Sequence, residues 1–204
     1  MSSHASDPSG QAAPGGALAR LVAALGPEAA CRLPPVERWN PPFGGDIDMR
    51  IAADGSWHYK GSPIARPALV RLFSTILRKD PERYVLVTPV ERVGIAVEDA
   101  PFLAVEMAVE GDGGARRIAF RTNVDDLVAV GPDHPLRFER DGTGGVKPYV
   151  LVRGGLWARV TRALTLDLVA LGEEWEGSDG GLFGVAAGRS FYPVAPMSEL
   201  GGPA

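Results

Sequence analysis

Five groups of side chains in this sequence have the types and spacing to do chemistry. Asp46 and Asp48 flank a single residue, Ile47, so on an extended strand both carboxylates face the same way. Glu98-Asp99 is a second acidic pair. Paired carboxylates can hold a divalent cation or share acid/base work. They equally serve as solvated strand ends, and that reading is favoured because the ligand histidines and cysteines of a transition-metal cluster are missing. Arg121-Thr122-Asn123 sets a guanidinium fork beside an amide, donors that suit a phosphate or carboxylate. Its plainer role is a salt bridge to Glu98 or Asp99. Arg153 precedes Gly154-Gly155, read as a strand–glycine–helix junction whose free N–H groups could face an anion. Finally, Thr88-Pro89-Val90-Glu91 separates two apolar runs, Tyr84–Val87 and Val93–Val97. Proline has no amide hydrogen for a ladder, so the strand breaks there and Thr88 and Glu91 face solvent or a cleft.

Other chemistries find little support. The three histidines are His4, His58 and His134. None forms an H-x-x-x-H or H-E-x-x-H pattern, which argues against a zinc hydrolase. His134, between Asp133 and Pro135, reads as a hydrogen-bonded turn residue rather than a base. Cys31 is the sole cysteine and has no activating neighbour beyond Arg32. No intrachain disulfide can form, which fits a reducing compartment. There is no G-x-S-x-G. Gly111–Gly114 joins two strands with no following helix and no lysine, so it reads as a hairpin turn, and Gly142–Gly145 likewise reads as a turn. No catalytic residue, metal or cofactor is assigned. A formal net charge of -4 argues against nucleic-acid polymers and anionic membranes as partners. No apolar run approaches the roughly 20 residues of a membrane span, and no secretory leader is recognisable. The expectation is a soluble, cytoplasmic protein.

The elements that must position these groups read as follows. Residues 1–16 are small and polar, a disordered tail. Leu18, Leu21, Val22 and Leu25 make one stripe of a short helix. A proline-stiffened lead-in carries Trp39 and Phe43. Ile47, Met49 and Ile51 alternate with polar residues as a half-buried strand, Asp54-Gly55 signals a hairpin, and Trp57 and Tyr59 lie on the return. Arg66–Lys79 predicts a helix with Pro67 in its first turn. A run of strands follows from Phe102 to Arg153. Leu156, Val160, Leu164, Leu168 and Leu171 predict a second helix opened by Gly154-Gly155. Glu173–Gly181 reads as a polar loop, and Leu182–Val185 with Ser190–Val194 as a closing hairpin. Two echoes suggest duplication: Tyr84–Val87 against Tyr149–Val152, and Ile51–Ala53 with Trp57–Tyr59 against Val185–Ala187 with Phe191-Tyr192.

A set of short motifs carries a family resemblance. They include Trp39-Asn40-Pro41-Pro42, Asp54-Gly55-Ser56-Trp57, Gly61-Ser62-Pro63-Ile64, Thr88–Glu91, Val97–Phe102, Arg121–Asn123, His134-Pro135-Leu136 and Tyr149–Gly155. In order, from about Pro34 to Val194, they resemble the bacterial family of domain of unknown function 1285 (DUF1285). Ala186–Arg189 departs from the family pattern. The resemblance implies an α+β fold of two structurally related units. Its C-terminal unit is a curved antiparallel sheet capped by a helix, in the manner of a pleckstrin-homology domain. It also implies a nucleotide-like ligand in the cleft between the units and a part in signal transduction.

The resulting expectation places an N-terminal unit at 17–92, a C-terminal unit at 93–194 and a disordered tail at 195–204. A small anionic ligand would meet Thr88 and Glu91 on one wall of the cleft and Arg121, Asn123 and Arg153 on the other, with Glu98 and Asp99 alongside. The alternatives are a protein-interaction scaffold and a metal-dependent hydrolase using Asp46, Asp48, Glu98 or Asp99.

Overall fold

The computed structural model describes residues 33–177 and 180–200. The expected N-terminal tail, the Leu18–Leu25 helix and Cys31 lie outside them. Strand β1 (Phe43–Ile51) alternates as its sequence predicts: Met49 and Ile51 are buried, Asp46 and Asp48 exposed. The three-residue loop Ala53-Asp54-Gly55 returns the chain, with Gly55 in the left-handed region at φ +80. Strands β2 (Trp57–Tyr59) and β3 (Ser62–Pro63) follow, then helix α1 (Pro67–Thr75) with its proline in the first turn.

The helix stops at Thr75, four residues short of the sequence expectation. Leu77–Asp80 is strand β4, paired with β5 (Arg83–Val87) through Leu77↔Leu86 and Arg78↔Val85. The cause is a tertiary contact. Arg78 is buried; it donates to the carbonyls of Val36 (2.9 Å) and Trp39 (2.7 Å) and pairs with Asp80 (2.7 Å). Those bonds outweigh the helix propensity of the segment, which is a weak term.

Strand β6 (Arg92–Val97) lies between β1 and β5, in the sheet order β3-β2-β1-β6-β5-β4. Val93–Val97 therefore belongs to the first unit. The boundary expected at residue 92 moves to the connector Glu98–Pro101.

The second sheet holds β7 (Phe102–Glu110), β8 (Arg117–Thr122), β9 (Leu127–Ala129), β10 (Leu136–Arg140), β11 (Val146–Arg153) and β12 (Leu156–Val160). Its order is β10-β11-β12-β7-β8-β9. Each sheet is thus two antiparallel three-stranded meanders joined by one parallel pair, β1 with β6 and β12 with β7. Strand for strand, the two orders coincide. The Tyr-Val-Leu-Val echo falls on β5 and β11, the fifth strand of each unit. A cation from the fourth strand covers each tyrosine: Lys79 over Tyr84 at 4.3 Å, Arg137 over Tyr149 at 4.8 Å. The second echo does not follow the repeat, because Val185–Ala187 belongs to a different sheet.

Gly154-Gly155 opens no helix. Both residues have positive φ, +48 and +76, and turn β11 into β12. Leu156, Ala158 and Val160 are buried alternately with Trp157 and Arg159. A spacing of four is a multiple of two, so Leu156 and Val160 share a face on a strand as well as on a helix. The helix, α2 (Arg162–Ala170), begins only afterwards.

The expected polar loop is in fact strand β13 (Glu173–Gly177). It joins β14 (Gly180–Ala187) and β15 (Ser190–Pro196) in a three-stranded sheet, and a short helix α3 (Met197–Leu200) follows. Regular structure thus continues through 195–200, where a tail was expected. One apolar cluster runs through all three sheets. It includes Trp57 and Phe73, stacked at 6.3 Å, with Phe102, Phe120, Val150 and Val185. Burying each large side chain contributes about 1.5–3 kcal/mol.

Candidate functional site

The seam between the two sheets gathers five of the seven residues singled out in the sequence. On the connector, Glu98 pairs with Arg50 and accepts the Ala53 amide at 3.0 Å. The Ala53 amide first, then Arg50, hold its carboxyl below the ordinary range. Glu98 therefore fixes the β1–β2 turn. Asp99 accepts the Tyr149 hydroxyl at 2.7 Å and pairs with Arg159 at 3.3 Å. Arg159 also donates to the Ala53 carbonyl at 2.7 Å. Burial, then the hydrogen bond to Asp99, push the Tyr149 hydroxyl well above the usual phenol value. It stays a protonated donor at neutral pH.

Asn123 follows β8 and reaches the same turn. Its Oδ1 accepts the Leu103 amide at 3.0 Å, and its Nδ2 lies 3.5 Å from the Gly55 carbonyl. A Cβ on Gly55 would sit 2.9 Å from Leu103 and 3.0 Å from Asn123, so the approach needs glycine on steric as well as backbone grounds. Arg121 grips Glu106 with two nitrogens and donates to Asp125 at 2.8 Å. The bonds to Glu106 hold its guanidinium above its usual value. The second carboxylate oxygen of Asp125 pairs with Arg71 of α1 at 2.7 Å. One carboxylate thus joins a guanidinium from each unit, and Asp125 is held at φ +68, a left-handed conformation uncommon for a non-glycine residue. Arg153 pairs with Asp126, donates to the Ser74 carbonyl in the last turn of α1 (2.9 Å), and lies 5.0 Å from the Phe102 ring. A cation at that helix end is favourable.

Thr88 and Glu91 do not join this group. Thr88 is buried and closes its own loop: its hydroxyl donates to the Glu91 carbonyl at 3.1 Å and accepts the Glu91 amide at 3.2 Å. This corner precedes β6, and Glu98 follows it. Six residues of strand separate them by about 20 Å. The expected two-walled cleft therefore loses its Thr88/Glu91 wall. The expected Arg121 bridge to Glu98 or Asp99 is likewise replaced by Glu106 and Asp125. Asp46, the acid at the far end of β1, lies 3.6 Å from Arg83. Among the described residues no three His, Cys, Asp or Glu side chains converge as a metal site.

Besides a hollow of about 350 Å³ beside Thr75, Leu77 and Arg153, the seam offers a ligand a pocket of about 220 Å³. Trp57 and Val70 line it with Ser56, Arg71 and Asn123 on its polar side. Two family models, the N-terminal and C-terminal domains of DUF1285, match residues 34–100 and 101–194. The chain belongs to the DUF1285 family. It is similar to the crystal structure of a DUF1285 family protein from Silicibacter pomeroyi DSS-3. Identity is 49%, with 83% of this chain and 91% of that one covered, at a TM-score of 0.78. A DUF1285 family protein from Shewanella baltica OS155 matches at 27% identity over 61% of this chain and 91% of its own, with a TM-score of 0.48. No curated protein matches the chain.

The DUF1285 domain boundary falls in the connector, directly beside the Glu98-Asp99 anchors. Sequence reasoning missed the partners of those anchors. Arg71 sits on α1 away from its apolar stripe, and Arg159 lies between Leu156 and Val160, in a stretch whose spacing predicts a helix. The Asp-Asp pair after Asn123 was the one available signal for Asp125. Also missed was a Ser56–His58 contact of 2.9 Å in the β1–β2 hairpin. It is no nucleophile and base. The Ser56 hydroxyl has one hydrogen, and the Asp54 carboxylate takes it at 2.5 Å. His58 Nε2 must then be the donor to Ser56, and an Nε2–H cannot accept the serine proton.

Proposed function

We propose that this protein is a non-catalytic binding protein of a signalling type, taking a small anionic, nucleotide-like ligand at the seam between its two units. In the same proposal the second unit works as a pleckstrin-homology-like module, a curved sheet with α2 as its cap, in the cytoplasm. The observation that carries the reading is Asp125, a carboxylate held between Arg71 of one unit and Arg121 of the other, next to a pocket that Ser56 and Asn123 also line. A position that holds an internal carboxylate between two guanidinium groups favours an anion. A ligand phosphate would take the place of Asp125, while Glu106 keeps Arg121 aligned. Ser56 and Asn123 offer polar contacts for the ligand body, and Trp57 an apolar wall.

Calorimetric titration with nucleoside mono-, di- and cyclic phosphates tests this. Arg71→Ala should weaken binding about tenfold or more, and Asp125→Asn, which removes the competing charge, should tighten it. No ligand tighter than about 1 mM, or binding indifferent to both substitutions, would refute the proposal. A second reading, a protein-interaction scaffold, rests on β13, an outer strand whose Trp175 is 52% exposed against Phe191. Glu173, Glu174 and Glu176 on the same strand weaken it, because charged edges discourage strand addition.

A further inference from the structure

We infer that the second unit carries an anion site of its own, apart from the seam pocket, suited to a phosphomonoester. A concavity of about 380 Å³ lies between the Asp141–Gly145 turn, strands β11 and β12, and the first turn of α2. Lys147, Arg159 and Arg162 line it against one carboxylate, Asp141. Arg159 is already paired with Asp99, which leaves Lys147 and Arg162 against Asp141, a local excess of positive charge in a chain of net charge -4.

The one acid is occupied. Asp141 Oδ1 accepts from the Thr143 hydroxyl at 2.8 Å, the Thr143 amide at 2.9 Å and the Gly145 amide at 2.6 Å. Those bonds, the Thr143 side chain first, hold its carboxyl below the ordinary range. Among the described residues neither Lys147 nor Arg162 forms a salt bridge, although the Lys147 charge adds a little to what holds the Asp141 carboxyl down. Glu139, opposite Lys147 in the β10–β11 ladder, pairs instead with Arg137 at 3.1 Å. Arg159 spends two nitrogens on the seam, and its Nε is shut away from solvent, so it adds charge beside the hollow rather than a donor facing it. Helix α2 adds to the field. No side chain of Thr161 caps it, and the Thr165 hydroxyl is turned back onto the Thr161 carbonyl at 3.0 Å. Its first N–H groups are therefore unsatisfied.

Several positive groups converging on one hollow suit a doubly charged oxyanion better than a carboxylate. Val146, Val160 and Leu166, the last 71% exposed, give an apolar side for a short organic part. A soluble phosphomonoester and a phosphomonoester lipid headgroup share this chemistry.

The test titrates glycerol 3-phosphate into the labelled full chain while recording amide resonances. In parallel it sediments the protein with vesicles of about four parts phosphatidylcholine to one part phosphatidic acid. Saturable shifts at residues 143–147 and 162–165, lost in a Lys147→Glu/Arg162→Glu variant and kept in Arg71→Ala, support the site and separate it from the seam pocket. Vesicle binding with the same sensitivity, and no response to glycerol 3-phosphate, supports it with a lipid as the source. Should the double variant fail to fold, Lys147→Gln alone must weaken binding about tenfold. Absence of binding to both probes at up to about 10 mM, or binding that survives the substitutions, overturns the inference.

Discussion

Removing one oxygen atom tests how the two units are held together. Tyr149→Phe keeps the ring in its buried place, so no cavity forms and the contact with Arg137 survives. What disappears is the 2.7 Å bond to Asp99, a hydrogen bond to an ionised group in a side chain pair that is mostly shielded from water. Such bonds contribute about 1.5–3 kcal/mol, and Asp99 keeps Arg159, so about 2 kcal/mol is expected. For a chain of this length that lowers Tm by about 4–8 °C. The pH dependence sharpens the test. The folded Tyr149 hydroxyl titrates above its unfolded value of 10.0. Its contribution is therefore fully present below about pH 10 and is lost as the pH rises from there toward the folded value. The gap between wild type and variant, followed by urea melts, should be constant from about pH 6 to 9 and narrow above about pH 10. A Tm within about 1 °C of wild type, with a gap flat to about pH 11, would show that Asp99 does not clamp the second unit to the connector.

Two further outcomes follow from buried and pinned charges. Arg78→Met should cost about 3 kcal/mol in urea unfolding, the low end for a broken buried pair because Asp80 keeps Arg92 at 3.2 Å. A loss below about 1 kcal/mol would mean that the Val36 and Trp39 carbonyls do not depend on it. Glu98 has a folded value depressed below 4.5, so it stabilises the fold above that pH and the contribution fades as the pH falls through the folded value. Glu98→Gln should lower the urea midpoint at about pH 7, and the gap to wild type should narrow as the pH falls below 4.5; a gap that stays constant on acidification would assign the effect to lost packing.

The strands were legible in the sequence wherever period-two patterning met a turn signal. Ile47, Met49 and Ile51 with Asp54-Gly55 gave β1 and its hairpin, and Pro89 marked the break between β5 and β6. The errors share a cause. At Leu77–Asp80 and Leu156–Val160, apolar spacings of three and four fit a helix, and only partners distant in sequence decide otherwise. Leu86 supplies the ladder for the first and Leu151 and Ala104 flank the second. Site residues fared similarly. Arginines and acids could be picked out by type, but their pairing depends on which ends of strands meet. Glu98 and Thr88 lie close in sequence and at opposite ends of β6, whereas Arg71 and Asp125 are distant in sequence and bonded.

The repeat explains why a seam exists and why it is asymmetric. Both units share one strand order, and each sets a tyrosine of its fifth strand beneath a cation of its fourth. The units differ in where the helix is inserted: α1 links the third and fourth strands of the first unit, whereas α2 follows the sixth strand of the second. The first unit therefore brings Arg71 and the Ser74 carbonyl to the seam, where the second unit has only the turn before β10. The equivalent tyrosines have diverged accordingly. Tyr149 found an acceptor in Asp99 on the connector, an element that exists once, between the copies. Polar partners at the seam thus come from what the two copies do not share, and a ligand competing for Asp125 would act on the contact that ties one copy to the other.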